Sequence, residues 1–413
     1  MIQNHDLEPR IGVSVGGIQR QSRGIAVTTA LILQEFERSG CSPLYFHYQG
    51  QEPPRDLGLG PDRYVELLYD DSGSPEERFN NEQFIFPALQ ERVGIDVIWH
   101  PKNRSQFLKD HVGVVASLHD LMPYSRPDLS GDLQLPKAQE RLLKSRLDSI
   151  KCAHKIITPS QAAKNEIVDL LCVDSSSVVV VPNGINHDAF NNNVSPTAVS
   201  DTRAALNLNN EYLLHVGGLS PHKDLTTLIA AYAGSLMPQR GYDLVLAGPI
   251  KKAIYSCDLD RVGLAIRQYG LETRVKLLDA LPLTQLSAVV SGATIFATTS
   301  LYEGFGLTPL EAMACGVPTV VSDIPVHKEV CGEGAIYAHT GDPRSFGVAF
   351  NEIISNQDVC SSLSMAGIMR AAQFRWEGSA HQVHDILREA GEPHQHRRLG
   401  LVGVRAYLDL GKQ

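Results

Sequence analysis

The chain of 413 residues contains no apolar run approaching the roughly 20 residues that span a bilayer. Its first residues, MIQNHDLEPR, carry Asp6 and Glu8 and lack a basic start followed by an apolar stretch, so no secretory signal is expected. Cysteine is scarce and unpatterned. The seven cysteines (Cys41, Cys152, Cys172, Cys257, Cys315, Cys331 and Cys360) form no C-x-x-C pair and show no metal-ligand spacing. Such a set reads as reduced thiols in a cytoplasmic protein. Positive charge is also short, with 37 Lys and Arg against 46 Asp and Glu and a net charge of −9. That excludes the basic footprint nucleic acid requires. The one basic cluster, His394 to Arg398, reads as a solvated tail. No G-x-G-x-x-G occurs, which excludes the dinucleotide fingerprint. Gly12 to Gly16 matches G-x-S-x-G, but Ser14 sits inside an alternating strand rather than on the sharp strand-to-helix turn a hydrolase nucleophile needs.

What is present is the composition of an ordinary globular protein, 43% hydrophobic and 20% charged, at a length that suggests two domains. Short apolar runs alternate with longer periodic segments, the pattern of parallel sheets with crossover helices. Strands are expected at Ile11–Val15, Asp96–His100, Val112–Leu118, Lys155–Thr158 and Val178–Val181. A helix from about Val27 to Arg38 ends at Gly40, and Ser160 is placed to cap another. Asp188–Asp201 is polar and reads as a linker. A second series follows at Tyr212–Val216, Asp243–Ala247, Val275–Leu278, Thr294–Ala297 and Thr319–Val321. The expected architecture is α/β, with two doubly wound parallel-sheet domains facing a cleft. The first covers residues 1–190 and the second 191–390, with a tail at 391–413. In such folds ligands sit at the C-terminal ends of the strands, and between two such domains the cleft is the default site.

Three segments carry candidate chemistry. In Ser300–Asp323, Gly304-Phe305-Gly306 enters a short helix with Thr308 as a candidate cap, Pro309 at its start and Gly316 at its end. Glycine-rich backbone at a helix N-terminus is an anion site that suits a diphosphate. Glu303 and Glu311 would repel an anion and suit hydroxyls instead. Local physics alone leaves Glu311 equally a capping-box residue and Glu303 a solvated loop carboxylate. In His215–Leu228, Lys223 falls at the head of a helix expected near Asp224, where cation and helix dipole face a phosphate together; it reads also as an exposed loop lysine. In Val114–Tyr124, His119-Asp120 stands where a strand hands over to a loop.

The block from Glu303 to Pro318 resembles the Glu-x7-Glu signature of retaining GT-B glycosyltransferases of the group 1, or family 4, class. The likeness extends in order through SLHDLMP near His119, ITPSQAAKNEI near Ser160, VVPNGI near Asn183, VGGLSPHKDL near Lys223 and LVLAGP near Gly248. It implies a retaining, metal-independent enzyme without a cofactor. Such an enzyme moves a hexosyl unit from a GDP- or UDP-linked sugar to a hydroxyl of a sugar-containing or small-molecule acceptor, with no nucleic acid and no evident membrane partner. Glu311 would take the ribose and Glu303 the sugar hydroxyls, while Lys223 and the backbone from Gly304 through Phe305, Gly306, Leu307 and Thr308 hold phosphate. His119 would lie near the reacting carbon, with Gly16 and Gly17 close to the phosphates. The family usually has an arginine five residues before this lysine or directly before it; here Gly218 and His222 stand there. The alternatives are a weak or inactive sugar-nucleotide-binding homologue, or a GT-B phosphorylase or epimerase.

Overall fold

The computed structural model describes residues 8–15, 24–49, 63–70, 74–107, 112–130, 137–250 and 259–395. The first domain runs β1 (Ile11–Ser14), α1 (Ile25–Arg38), β2 (Leu44–Gln49), β3 (Tyr64–Asp70), α2 (Pro75–Val93), β4 (Val97–His100), β5 (Gly113–Ser117), α3 (Met122–Ser125), α4 (Lys137–Lys151), β6 (Lys155–Thr158), α5 (Gln161–Leu171) and β7 (Val178–Val180). The second runs α6 (Pro196–Ala205), β8 (Tyr212–Val216), α7 (Leu225–Gly234), β9 (Asp243–Ala247), α8 (Leu259–Gln268), β10 (Val275–Leu278), α9 (Leu283–Ser291), β11 (Ile295–Thr298), α10 (Leu307–Ala314), β12 (Thr319–Ser322), α11 (Pro325–Cys331), β13 (Ala335–Ala338), α12 (Pro343–Ser355) and α13 (Gln357–Ala371). A last helix, α14 (Trp376–Gln395), follows.

Both sheets are parallel. The first has seven strands in the order β3-β2-β1-β4-β5-β6-β7, and the second six in the order β10-β9-β8-β11-β12-β13. β1, β4, β5, β8, β9, β11 and β12 are buried at every residue, because helices cover both faces. Each sheet reverses its strand order at one place, between β1 and β4 in the first and between β8 and β11 in the second. There successive crossovers run to opposite sides and leave a crevice beyond the strand ends.

Several expected features differ in detail. Asp188–Asp201 is not wholly a linker, since α6 begins at Pro196, which fixes φ for a first helical turn. Thr308 does not cap α10. The helix begins two residues earlier, after Gly306 at φ 94°, and no side chain caps it. The capping-box reading of Glu311 is thereby removed. Ser160 does cap α5, accepting from the Ala163 N–H at 3.1 Å. Trp376–Gln395 falls mostly within the sequence span expected for the second domain, yet α14 packs on α1, β4 and β5 of the first. Its Trp376, Ala380, Val383, Ile386, Leu387 and Ala390 complete one face of the first domain's core. The approach is close: a Cβ at Gly113 would lie 2.2 Å from the Ala390 carbonyl oxygen. No helix among the described residues is long and apolar enough to cross a membrane.

Candidate active site

The loops that follow β8 and β11, the strands flanking the reversal, carry Lys223 and Glu303. They are stitched together before either side chain acts. Thr299 Oγ1 donates to the carbonyl oxygens of Lys223 and Asp224, both at 2.9 Å, and the Leu301 N–H donates to the His222 carbonyl at 2.7 Å. Asp224 closes the first loop. It adopts φ 45° and caps α7 by accepting from the Thr227 N–H. Lys223 therefore stands at the head of α7, as the sequence suggests.

Lys223 Nζ donates to Glu303 Oε1 in a direct ion pair, with each side chain only 16% exposed. Ser300 Oγ donates to the same carboxylate oxygen at 2.7 Å. Burial would push the Glu303 carboxyl up, but the Lys223 ammonium outweighs it and holds it at about 2. The residues assigned on sequence to phosphate and to sugar hydroxyls thus neutralise each other here.

Three histidines surround the pair. His215 Nδ1 lies 3.0 Å from the Ala297 carbonyl and His327 Nδ1 lies 2.9 Å from that of Ser322, so Nδ1 carries the proton in each. Among the described residues, His215 Nε2, His327 Nε2 and His222 Nδ1 find no hydrogen-bond partner although all are buried. Burial, reinforced by Lys223, lowers His215 and His222 to about 4, and burial lowers His327 as well. All three rings are neutral at pH 7. Unpaired buried ring nitrogens are costly, and a polar ligand is the natural remedy.

The first domain meets this site through the loop after β5. The His119 N–H donates to Asn103 Oδ1 at 2.9 Å and its Nε2 lies 3.0 Å from the Pro101 carbonyl, which fixes the ring. Burial lowers its pKa. Asp120 is pushed up by burial, with Glu303 and Glu166 adding to the effect. Gly304 lies against this loop. A Cβ there would be 2.3 Å from the His119 carbonyl oxygen and 3.1 Å from Asp120 Cβ, so only glycine fits. His119, Lys223, Glu303 and Gly304 are thus brought together across the cleft.

Other expected positions fall in different places. Phe305 turns inward, 5% exposed and edge-on to Phe374 at 5.7 Å, so only its backbone is free to face a ligand. Gly306, Leu307 and Thr308 form the entry to α10, whose first amides lack intrahelical partners. Glu311 is half-buried one turn further on. Gly218 borders the Lys223 loop, and a Cβ there would meet nothing closer than Ser220 Oγ at 3.5 Å. Gly16 and Gly17 lie outside the described residues. Among the described residues no three His, Cys, Asp or Glu side chains are grouped as a metal site requires. Sequence reasoning missed His327, Glu166, Tyr302 and Glu329. His327 and Glu329 share an ordinary helix start, and the others belong to contacts between distant segments that no local spacing reveals.

Two parallel-sheet domains, each with its strand ends and reversal point turned to a shared cleft, define the GT-B class of fold. Solved structures agree. Sucrose-phosphate synthase from Thermosynechococcus elongatus superposes with a TM-score of 0.70 at 19% identity, covering 93% of this chain and 100% of that one. HepE from Anabaena, solved in complex with UDP and glucose, gives 0.69 at 18% identity over 92% and 100%. The family description "Glycosyl transferases group 1" matches residues 200–370, and "Glycosyltransferase Family 4" matches residues 22–189. The chain belongs to the group 1 glycosyltransferases. Among curated relatives, the serotype-specific mannosyltransferase WbdA of Escherichia coli is 28% identical over 273 residues, 65% of this chain and 32% of that protein. The O-antigen chain mannosyltransferase RfbU of Salmonella typhimurium is 27% identical over 245 residues, 59% of this chain and 62% of that one. The matched region spans about a third of WbdA's length and less than two thirds of RfbU's.

Proposed function

We propose that the chain is a retaining, metal-independent hexosyltransferase that takes a hexosyl unit from a GDP- or UDP-linked sugar and delivers it to an acceptor hydroxyl. The observation that carries this reading is the buried Lys223–Glu303 pair facing the His119 loop across the cleft. In the free protein the pair is self-neutralised. An arriving diphosphate competes for Lys223, and the sugar hydroxyls replace the ammonium as donors to the Glu303 carboxylate. Glu303, held at about 2, accepts from them at any physiological pH. Glu311 accepts from the ribose hydroxyls. The amides at the start of α10 and the Lys223 ammonium receive the charge that develops on the departing diphosphate, which is where fixed dipoles and charges lower a barrier most. His119, neutral and fixed by Asn103 and Pro101, lies beside the sugar. The mannosyltransferase names of the curated relatives make GDP-mannose the first donor to try, and HepE's complex makes UDP-glucose the second.

The acceptor is a sugar-containing or small molecule. The six described cysteines are all unpaired, which suits the reducing, cytoplasmic setting that forms part of this proposal. A second reading, a donor-binding homologue with little turnover, is favoured by one observation. Gly218 and His222 occupy the places where the family usually has arginine, and His222 is neutral, so one cation fewer faces the diphosphate. A thermal-shift screen with nucleotide sugars, followed by the release of nucleoside diphosphate without acceptor, tests both. Stabilisation with release supports the transferase, and stabilisation without release supports the binding homologue. No stabilisation by any nucleotide sugar refutes both.

A further inference from the structure

Beyond the donor residues, hydrogen bonds join the two domains among the described residues, and one of them reaches the His119 loop. Tyr302 immediately precedes Glu303. Its hydroxyl donates to Glu166 Oε2 on α5 and accepts from the Leu121 N–H at 3.1 Å. Leu121 closes the loop that carries His119 and Asp120. Burial and the bond to Glu166 push the phenol far above its ordinary value, so it keeps the proton it donates. Two other contacts grip α5 from the second domain. Ser160 Oγ donates to the Gly304 carbonyl at 2.9 Å, and the Glu329 carboxylate accepts from the Gln161 and Ala162 amides at 2.6 and 2.9 Å. Both involve only the cap and first turn of α5: the first joins the Ser160 hydroxyl to the Gly304 backbone, and the second ends on the amides of Gln161 and Ala162. The Tyr302 contact alone of the three continues into the His119 loop, and it does so through a single hydroxyl with one proton and one accepting lone pair committed.

We propose that Tyr302 is a positioning residue: by bridging Glu166 and the Leu121 amide it holds the His119–Asp120 loop in register with Glu303 and Lys223. The proposal rests on the reading of those residues as the donor site. Tyr302 acts through the loop and not on the donor, so its loss should affect the chemical step and leave donor binding to the second domain. A displacement of about 1 Å in such a constellation lowers a rate by up to a hundred-fold.

The test uses the full chain with Tyr302→Phe, Glu166→Ala and Glu166→Gln. Three measurements are made: hydrogen exchange at the Leu121 amide, UDP affinity by calorimetry, and release of nucleoside diphosphate from GDP-mannose and UDP-glucose with kcat and KM resolved. In Tyr302→Phe and Glu166→Ala the Leu121 amide should exchange roughly ten-fold faster. In the same variants kcat should fall roughly ten- to a hundred-fold, with KM and UDP affinity within about two-fold of wild type. Glu166→Gln, whose amide oxygen still accepts from the phenol, should restore kcat to within about three-fold. Unchanged kcat in Tyr302→Phe, a loss confined to KM and UDP affinity, or failure of Glu166→Gln to outperform Glu166→Ala overturns the proposal alone. A wild-type chain that neither binds nor hydrolyses any donor overturns it together with the reading beneath it.

Discussion

Replacing Lys223 by alanine tests the site and the fold at once. The substitution leaves the Glu303 carboxylate buried without its ion-pair partner, and removing one member of a buried pair costs about 3–5 kcal/mol. Glu303 gives a second route to the magnitude. A carboxyl held at about 2 in place of the ordinary 4.5 contributes about 3 kcal/mol at neutral pH. For a domain of this size about 3 kcal/mol corresponds to roughly 6–12 °C in Tm. The pH dependence supplies the sign. In the wild type the folded pKa is depressed, so this stability is complete above about pH 4.5 and is lost as the pH falls toward about 2. In Lys223→Ala, burial is opposed only by neighbours that are themselves neutral, so the Glu303 pKa rises. The variant should therefore recover stability as the pH is lowered from 7 toward 5, where the wild type is flat. Adding Glu303→Gln should restore Tm without restoring turnover, because the cation facing the diphosphate is still missing. Turnover of Lys223→Ala should fall by about 10²–10³, by analogy with removal of one oxyanion donor. Thermal unfolding at several pH values and donor hydrolysis on the same samples make the measurement. A variant within about 2 °C of wild type at pH 7 that retains full turnover refutes the reasoning.

Four further outcomes follow from the same geometry. Glu311→Gln should weaken UDP binding roughly ten-fold; calorimetry showing unaltered affinity discards the ribose role. Gly304→Ala drives a Cβ to 2.3 Å from the His119 carbonyl oxygen and should cut donor hydrolysis while sparing UDP affinity, so wild-type rates would contradict the contact. Gly218→Arg has space and an unstrained backbone, and should leave turnover equal or raise it by restoring a cation; a folded but inactive variant would show that the loop cannot carry one. EDTA should not alter turnover, and loss with recovery on manganese or magnesium would end the metal-independent reading.

The central strands were legible because burial on both faces writes itself as short apolar runs. β6, β8, β9 and β10 occur at the residues read from sequence. β2 and β3, LYFHYQ and YVELLYD, interrupt such runs with polar and charged residues, and β13 is four residues between helices, so none of the three was anticipated. α6 hid in a stretch whose Asn and Ser content resembles a linker. Glu303, Gly304, Lys223 and His119 are marked by their loops, and the structure brings them together. That Lys223 and Glu303 would pair with each other was not readable, because local propensity says nothing about which loops of a sheet converge. The Tyr302–Glu166 bridge is invisible for the same reason, being a contact across the fold. Thr308 failed as a cap because Gly306, with its left-handed backbone, caps α10 two residues earlier.

The return of α14 to the first domain has a consequence for how the protein comes to be folded. That domain's core is assembled from the beginning of the chain and from Trp376–Gln395. During synthesis its sheet must wait, with one apolar face uncovered, until the whole second domain has left the ribosome. The second domain is contiguous and can close first, so the usual N-to-C order of folding is reversed at the level of finished domains. The chain also crosses between domains twice, once after β7 and once before α14, so a single proteolytic cut at either crossing leaves the halves tethered. Loss of the last twenty residues of the described chain would strip the first domain of a core layer while leaving every expected donor residue of the second domain in place.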